Sequence, residues 1–99
     1  MYGLNGRMLS QPGQREALIA AMLGDLAPMP GCLSYILAKD PLHPDVIWIT
    51  EVWDSPESHQ ASLKLASVQA TIAKARPLIA GFDNRVETEP VGGLGLLKT

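Results

Sequence analysis

Ninety-nine residues, 46% of them apolar and only 18% charged, make one domain with a single core. A net charge of −2 without a basic cluster argues against nucleic acid as the main partner, and no apolar run approaches the roughly 18 residues that cross a bilayer. The lone Cys32 cannot form an intrachain disulfide; with no signal peptide read at the start, it points to a reducing cytoplasm.

Tyr2–Leu9 reads as a first strand, broken by Gln11-Pro12-Gly13. Gln14 to about Ala27 reads as a helix, with Leu18, Ala21, Met22 and Leu26 on one stripe, and Ala27-Pro-Met-Pro-Gly31 stops it. Cys32–Lys39 and Val46–Trp53 are strands joined by the turn Asp40-Pro-Leu-His-Pro44, so they form a hairpin. Ser55 is a good N-cap, with Pro56 at the first helical position and Glu57 at the positive end of the dipole. The helix it opens runs to about Arg76, with an interruption near Ala66-Ser67; Pro77 and Gly81 end it, and Phe82–Glu89 is the last strand. Residues 1–90 therefore form one α+β domain of order βαββαβ, the ferredoxin-like arrangement. The Gly-rich tail 91–99 carries several apolar side chains and reads as docking on a neighbouring surface.

A ferredoxin-like sheet carries helices on one face only, yet these strands are apolar on both. In the third strand Val46, Trp48, Thr50 and Val52 share one face, and Ile47, Ile49, Glu51 and Trp53 the other. The open face must then be covered, and a sheet from a second subunit does this. A cavity between sheet and helices is left for a ligand.

Glu51 is the most informative residue. A carboxylate inside an apolar strand must pair or face a wet cavity. It is either a structural group ion-paired with Arg7 or Arg85 at a subunit seam, or a polar or acid–base group in a pocket. Trp53 on the same face is core, interface or a pocket wall for a flat aromatic ligand. His59, about the fourth residue of its helix, is a surface side chain, a satisfied hydrogen-bond partner, or a base working near neutral pH. Tyr35 is a core tyrosine or a phenol offered to a bound oxygen. Asn5 and Arg7 share a strand face and either line the cavity or bridge subunits. Cys32, at a strand start, reads as an inert buried thiol. Two distant histidines and one cysteine give no metal site. Gly92-Gly93-Leu94-Gly95 has no following helix to hold a pyrophosphate, so it is no dinucleotide fingerprint.

Three segments carry a resemblance: Pro30-Gly-Cys-Leu-Ser-Tyr35, Ile49-Thr-Glu-Val-Trp-Asp-Ser-Pro-Glu-Ser-His59 and Arg76-Pro-Leu78. Over residues 2–90 the chain resembles the antibiotic biosynthesis monooxygenase family, its quinol-monooxygenase-like members most. The resemblance implies a dimeric α+β barrel with one site per subunit. It also implies oxygenation of a quinol or polycyclic phenol by molecular oxygen, with no flavin, haem or metal cofactor. The residues that go with it are His59, Glu51 and Tyr35 as catalytic groups, and Trp53, Asn5, Arg7, Ile49 and Leu63 as substrate contacts. In the haem-degrading branch an Asn on the first strand pairs with a helix His. Asn5 stands one position out of that register, on the opposite face, so haem degradation is not inferred. Two other readings fit the same scaffold: an isomerase or related small-molecule enzyme, and a dimeric binding protein without catalysis.

Overall fold

The computed structural model describes residues 1–24 and 26–96. Four strands, β1 (Tyr2–Ser10), β2 (Cys32–Lys39), β3 (Val46–Trp53) and β4 (Ile79–Thr88), form one antiparallel sheet in the order β2-β3-β1-β4. The helices are α1 (Arg15–Leu23), α2 (Pro56–Ser62) and α3 (Ala66–Ala75), followed by a single 3₁₀ turn, Arg76–Leu78. This is the ferredoxin-like α+β fold that the element order predicts.

The core lies between the sheet and the helices. Met8 of β1 and Ile47 of β3 are direct cross-strand partners, and both are fully buried with Leu18 of α1 and Ala75 of α3. Burying a large apolar side chain of this kind stabilises by roughly 1.5–3 kcal/mol, so these residues fix which sheet face the helices cover. Alternation along the strands then assigns every neighbour. Leu4, Ile47, Ile49, Glu51 and Trp53 face the helices. Asn5, Arg7, Trp48 and Thr50 face away from them.

Three boundaries differ from expectation. The first helix stops at Leu23, with Gly24 as its C-cap, because Gly is a poor helix former and Pro28 and Pro30 follow. The second helical segment breaks at residues 63–65, slightly before the expected point. There the N–H groups of Leu63, Lys64 and Leu65 bond to the carbonyls of Gln60, Ala61 and Ser62, the tight three-residue spacing that ends a helix. The last strand starts at Ile79 rather than Phe82, directly after the 3₁₀ turn. Beyond it, Val91 and Leu94 of the tail are fully exposed on this subunit. Residues 97–99, also part of the expected docking tail, lie outside the described residues.

Two local devices position the site. Ser55 caps α2 by accepting the Ser58 N–H at 3.2 Å, with Pro56 at the first helical position. Gly31 has φ +83°, and a Cβ there would meet Asp54 Oδ1 and Ser58 Oγ at 2.6 and 2.5 Å. Only glycine suits both the left-handed backbone and that closeness. The entry to β2 thus lies against the start of α2 and holds His59 over the sheet.

Candidate active site between sheet and helices

A pocket of about 190 Å³ lies between the end of β3 and the helices. Tyr35, Glu51 and Trp53 form its floor. His59, Ser62 and Leu63 close one side from α2, and Val68, Thr71 and Ile72 another from α3. Met22 and the segment after α1, with Leu26 and Met29, complete it.

Among the described residues Glu51 has no arginine partner. Arg7 is engaged on the opposite face by Asp83, through two hydrogen bonds of 2.6 Å, and Arg85 lies 3.8 Å from Glu87. Instead the Trp53 indole N–H donates to Glu51 Oε1 at 3.0 Å, and His59 Nε2 stands 4.0 Å from the same oxygen. The carboxylate side chain is only 17% exposed and the imidazole 14%. Residues 51 and 53 share a strand face by their two-residue spacing, so β3 alone delivers the carboxylate and its donor.

The imidazole packs edge-on to Trp53, ring centroids 5.3 Å apart, and tilts against Tyr2 at 5.8 Å. Ser62 Oγ donates to the His59 carbonyl at 2.6 Å and tightens that helical turn. His59 Nδ1 is buried and has no hydrogen-bond partner among the described residues. Leaving a buried polar atom unpaired costs about 1–3 kcal/mol. Such groups concentrate where chemistry rather than folding decides the residue.

Tyr35 is the direct cross-strand partner of Glu51. Burial pushes its phenol well above the usual tyrosine range, and the nearby Glu51 charge adds to this. The phenol therefore favours its protonated form and has an O–H to donate. Burial likewise raises the half-buried Cys32 thiol, which favours its protonated form. Among the described residues no three His, Cys, Asp or Glu side chains cluster as a metal site. No described helix is long and apolar enough to cross a membrane.

The structure thus brings together His59, Glu51, Tyr35, Trp53 and Leu63. It separates Asn5, Arg7 and Ile49 from them. Asn5 and Arg7 do share a face, but it is the open one, where Arg7 lies over Trp48 at 5.6 Å from the ring centre. Ile49 faces the helices yet packs against the Met8–Ile47 core, beside a second hollow shared with Gly6 and Phe82. Sequence reasoning missed Tyr2 and the α3 wall. Val68, Thr71 and Ile72 recur at helical spacing, a stripe that marks a face turned inward.

The family model described as antibiotic biosynthesis monooxygenase matches residues 1–74. A crystal structure from Chloroflexus aurantiacus, provisionally named for that family, is 63% identical, with 96% of this chain and 97% of that one covered and a TM-score of 0.91. Similarly named proteins of Caulobacter crescentus and Deinococcus radiodurans share the fold at 21% and 20% identity. Their TM-scores are 0.81 and 0.75, covering 92% and 99% of this chain and 90% and 100% of theirs. No functionally curated protein matches the chain.

Proposed function

This chain belongs to the antibiotic biosynthesis monooxygenase family, and on that footing we propose that it oxidises a quinol or aromatic phenol with molecular oxygen, the substrate itself supplying the electrons. The observation that carries this reading is the carboxylate Glu51, fixed by the Trp53 indole beside an imidazole with an unpartnered nitrogen, in an otherwise apolar pocket.

Triplet oxygen reacts slowly with closed-shell molecules, and a phenolate reacts far faster than its phenol. The protein's task is to remove one proton and keep water away while the electrons move. Glu51 and His59 take the hydroxyl proton. The phenolate passes an electron to oxygen, the radical pair joins at a ring carbon, the resulting peroxide anion takes back the proton held by the base, and the hydroperoxide loses water. One oxygen atom ends in the quinone and the other in water, so no external reductant is needed. The Tyr35 phenol donates to the oxygen on which charge develops.

The active unit in this proposal is a cytoplasmic homodimer. Ile36, Trp48 and Val86 are exposed on the open sheet face, an apolar surface that a second sheet suits. The apolar tail residues Val91 and Leu94 would dock on the partner. Sedimentation at twice the chain mass is expected; a folded monomer would remove the dimer.

The reaction is tested by oxygen uptake on a panel of quinols, naphthols and anthrones, metal-free and with chelator, using isotopically labelled oxygen. Uptake well above autoxidation, with one labelled atom in the quinone, is expected. Uptake no faster than the substrates' own autoxidation overturns the proposal.

A further inference from the structure

The imidazole of His59 lacks the usual means of orientation. A working histidine is normally turned by a hydrogen bond at its second ring nitrogen. Among the described residues neither nitrogen of His59 has one. Nδ1 is buried and unpartnered, and Nε2 stands 4.0 Å from Glu51 Oε1. The Ser55 cap and the Ser62 hydroxyl fix the backbone of α2, not the ring. Rotation of an imidazole about its last side-chain bond is broad and roughly two-fold. Half a turn puts the Cε1 carbon where Nε2 now faces Glu51.

Packing is left to set that rotation, and two aromatic rings supply it. Trp53 stands edge-on to the imidazole at 5.3 Å and is itself fixed by its bond to Glu51. Tyr2 is tilted at 43° with its ring centre 5.8 Å away, and it does not line the cavity. Tyr2 is the cross-strand partner of Trp53, so β1 and β3 deliver the two rings together. Tyr2 is also the first residue of β1, where the ladder ends, and a tether reaches it from the neighbouring strand. Its hydroxyl donates to Glu87 Oε2 of β4 at 2.9 Å, and Arg85 lies 3.8 Å from the other oxygen of that carboxylate. Glu87 lines no part of the cavity either.

From this we infer that Tyr2 is a positioning residue for His59: tethered to Glu87, its ring holds the imidazole in the rotation that keeps Nε2 facing Glu51. The inference rests on the reading that His59 takes the substrate proton, and it extends the working site to a contact on β4 outside the cavity. A reacting group displaced by about 1 Å can lose on the order of 10²-fold in rate. Binding in the apolar pocket does not depend on that rotation. A group whose contribution is made only in the transition state moves kcat and kcat/KM together and leaves KM alone.

The test pairs kinetics with nuclear magnetic resonance of the His59 ring in the intact protein. The variants are Tyr2→Leu, which keeps apolar cover but loses the flat ring, and Tyr2→Phe and Glu87→Ala, which each break only the tether. In oxygen uptake on the para naphthalene diol, per folded protein, Tyr2→Leu is expected to lower kcat about tenfold with KM within about twofold. Tyr2→Phe and Glu87→Ala should each lower kcat about threefold, and the double variant no further, because they break the same bond. The resonance experiment needs neither substrate nor oxygen. His43 is the only other histidine, so the His59 ring signals are readily assigned. Wild-type ring protons should show contacts to Trp53 from one edge only, and Tyr2→Leu should show them from both. An unmoved kcat in Tyr2→Leu, a loss confined to KM, additive effects in the double variant, or Trp53 contacts unchanged in Tyr2→Leu would each overturn the inference. If wild type takes up oxygen and Tyr2→Leu matches it, this inference alone falls. If wild type takes up none, the monooxygenase reading falls, and the ring contacts still decide whether Tyr2 holds His59.

Discussion

The two faces of the sheet each carry a tryptophan whose indole donates to a carboxylate. On the open face Trp48 bonds to Asp40 at 2.8 Å; on the helix face Trp53 bonds to Glu51 at 3.0 Å. The surroundings separate them. Asp40 also accepts the backbone N–H groups of Leu42 and His43, at 2.8 and 3.0 Å, and these bonds hold its carboxyl below the usual aspartate range. Both of its oxygens are occupied in stapling the β2–β3 hairpin. Among the described residues Glu51 has one donor, an imidazole at 4.0 Å that is not hydrogen-bonded to it, and a cavity in front. A saturated carboxylate is architecture, whereas a half-satisfied one beside a pocket is available to a ligand.

The largest effect that sharpens this contrast is on stability. Trp53 is fully buried, and Trp53→Ala is expected to cost about 3–5 kcal/mol by denaturant titration. Trp48, 37% exposed, should cost less within the subunit and show instead as weaker dimerisation by sedimentation. Equal losses within the subunit would break the distinction between the faces.

His59→Ala comes next. General acid–base groups contribute roughly 10²–10⁴-fold, so oxygen uptake should fall at least about a hundredfold while melting changes little. Near wild-type turnover would remove His59 from the chemistry.

Acid unfolding probes the open face. The folded carboxyl of Asp40 sits below its unfolded value near 3.9. Its stabilisation is therefore present above that pH and lost as pH falls through the folded value. Asp83, lowered by its hydrogen bond to Arg7, contributes with the same sign. Asp40→Asn should make the pH dependence of stability shallower below about pH 4; an unchanged slope would show that the bonds to Asp40 do not lower its carboxyl. The smallest effect is expected from Asn5→Ala, an exposed residue outside the cavity. It should leave turnover within about twofold, as exposed substitutions usually do; a large fall would bring the open face into the reaction.

Much of this was legible in the residues. The alternation in β3 put Glu51 with Trp53 and against Trp48, and Ser55-Pro56 marked the start of α2, so His59 fell near the fourth helical position. The face taken by Asn5 and Arg7 was legible only through the register that set Asn5 opposite the haem-degrading branch's Asn, and the same residues were also read as cavity lining. Alternation says which residues share a face, and only packing says which face is covered; with apolar side chains on both, nothing local distinguished them. The juxtaposition of Tyr35 and Glu51 was hidden for a related reason. Register between β2 and β3 depends on the intervening turn and on the irregularity between Cys32 and Ser34, neither of which side-chain type reveals.

The most direct measurement compares the two carboxylates in one assay. Glu51→Gln and Asp40→Asn each replace a carboxylate by its isosteric amide next to a tryptophan donor. The kcat/KM for oxygen uptake, per folded protein, should fall at least about a hundredfold in Glu51→Gln and stay near wild type in Asp40→Asn. Full activity in Glu51→Gln, or an equal loss in both variants, would contradict the assignment of chemistry to the helix-facing side of the sheet.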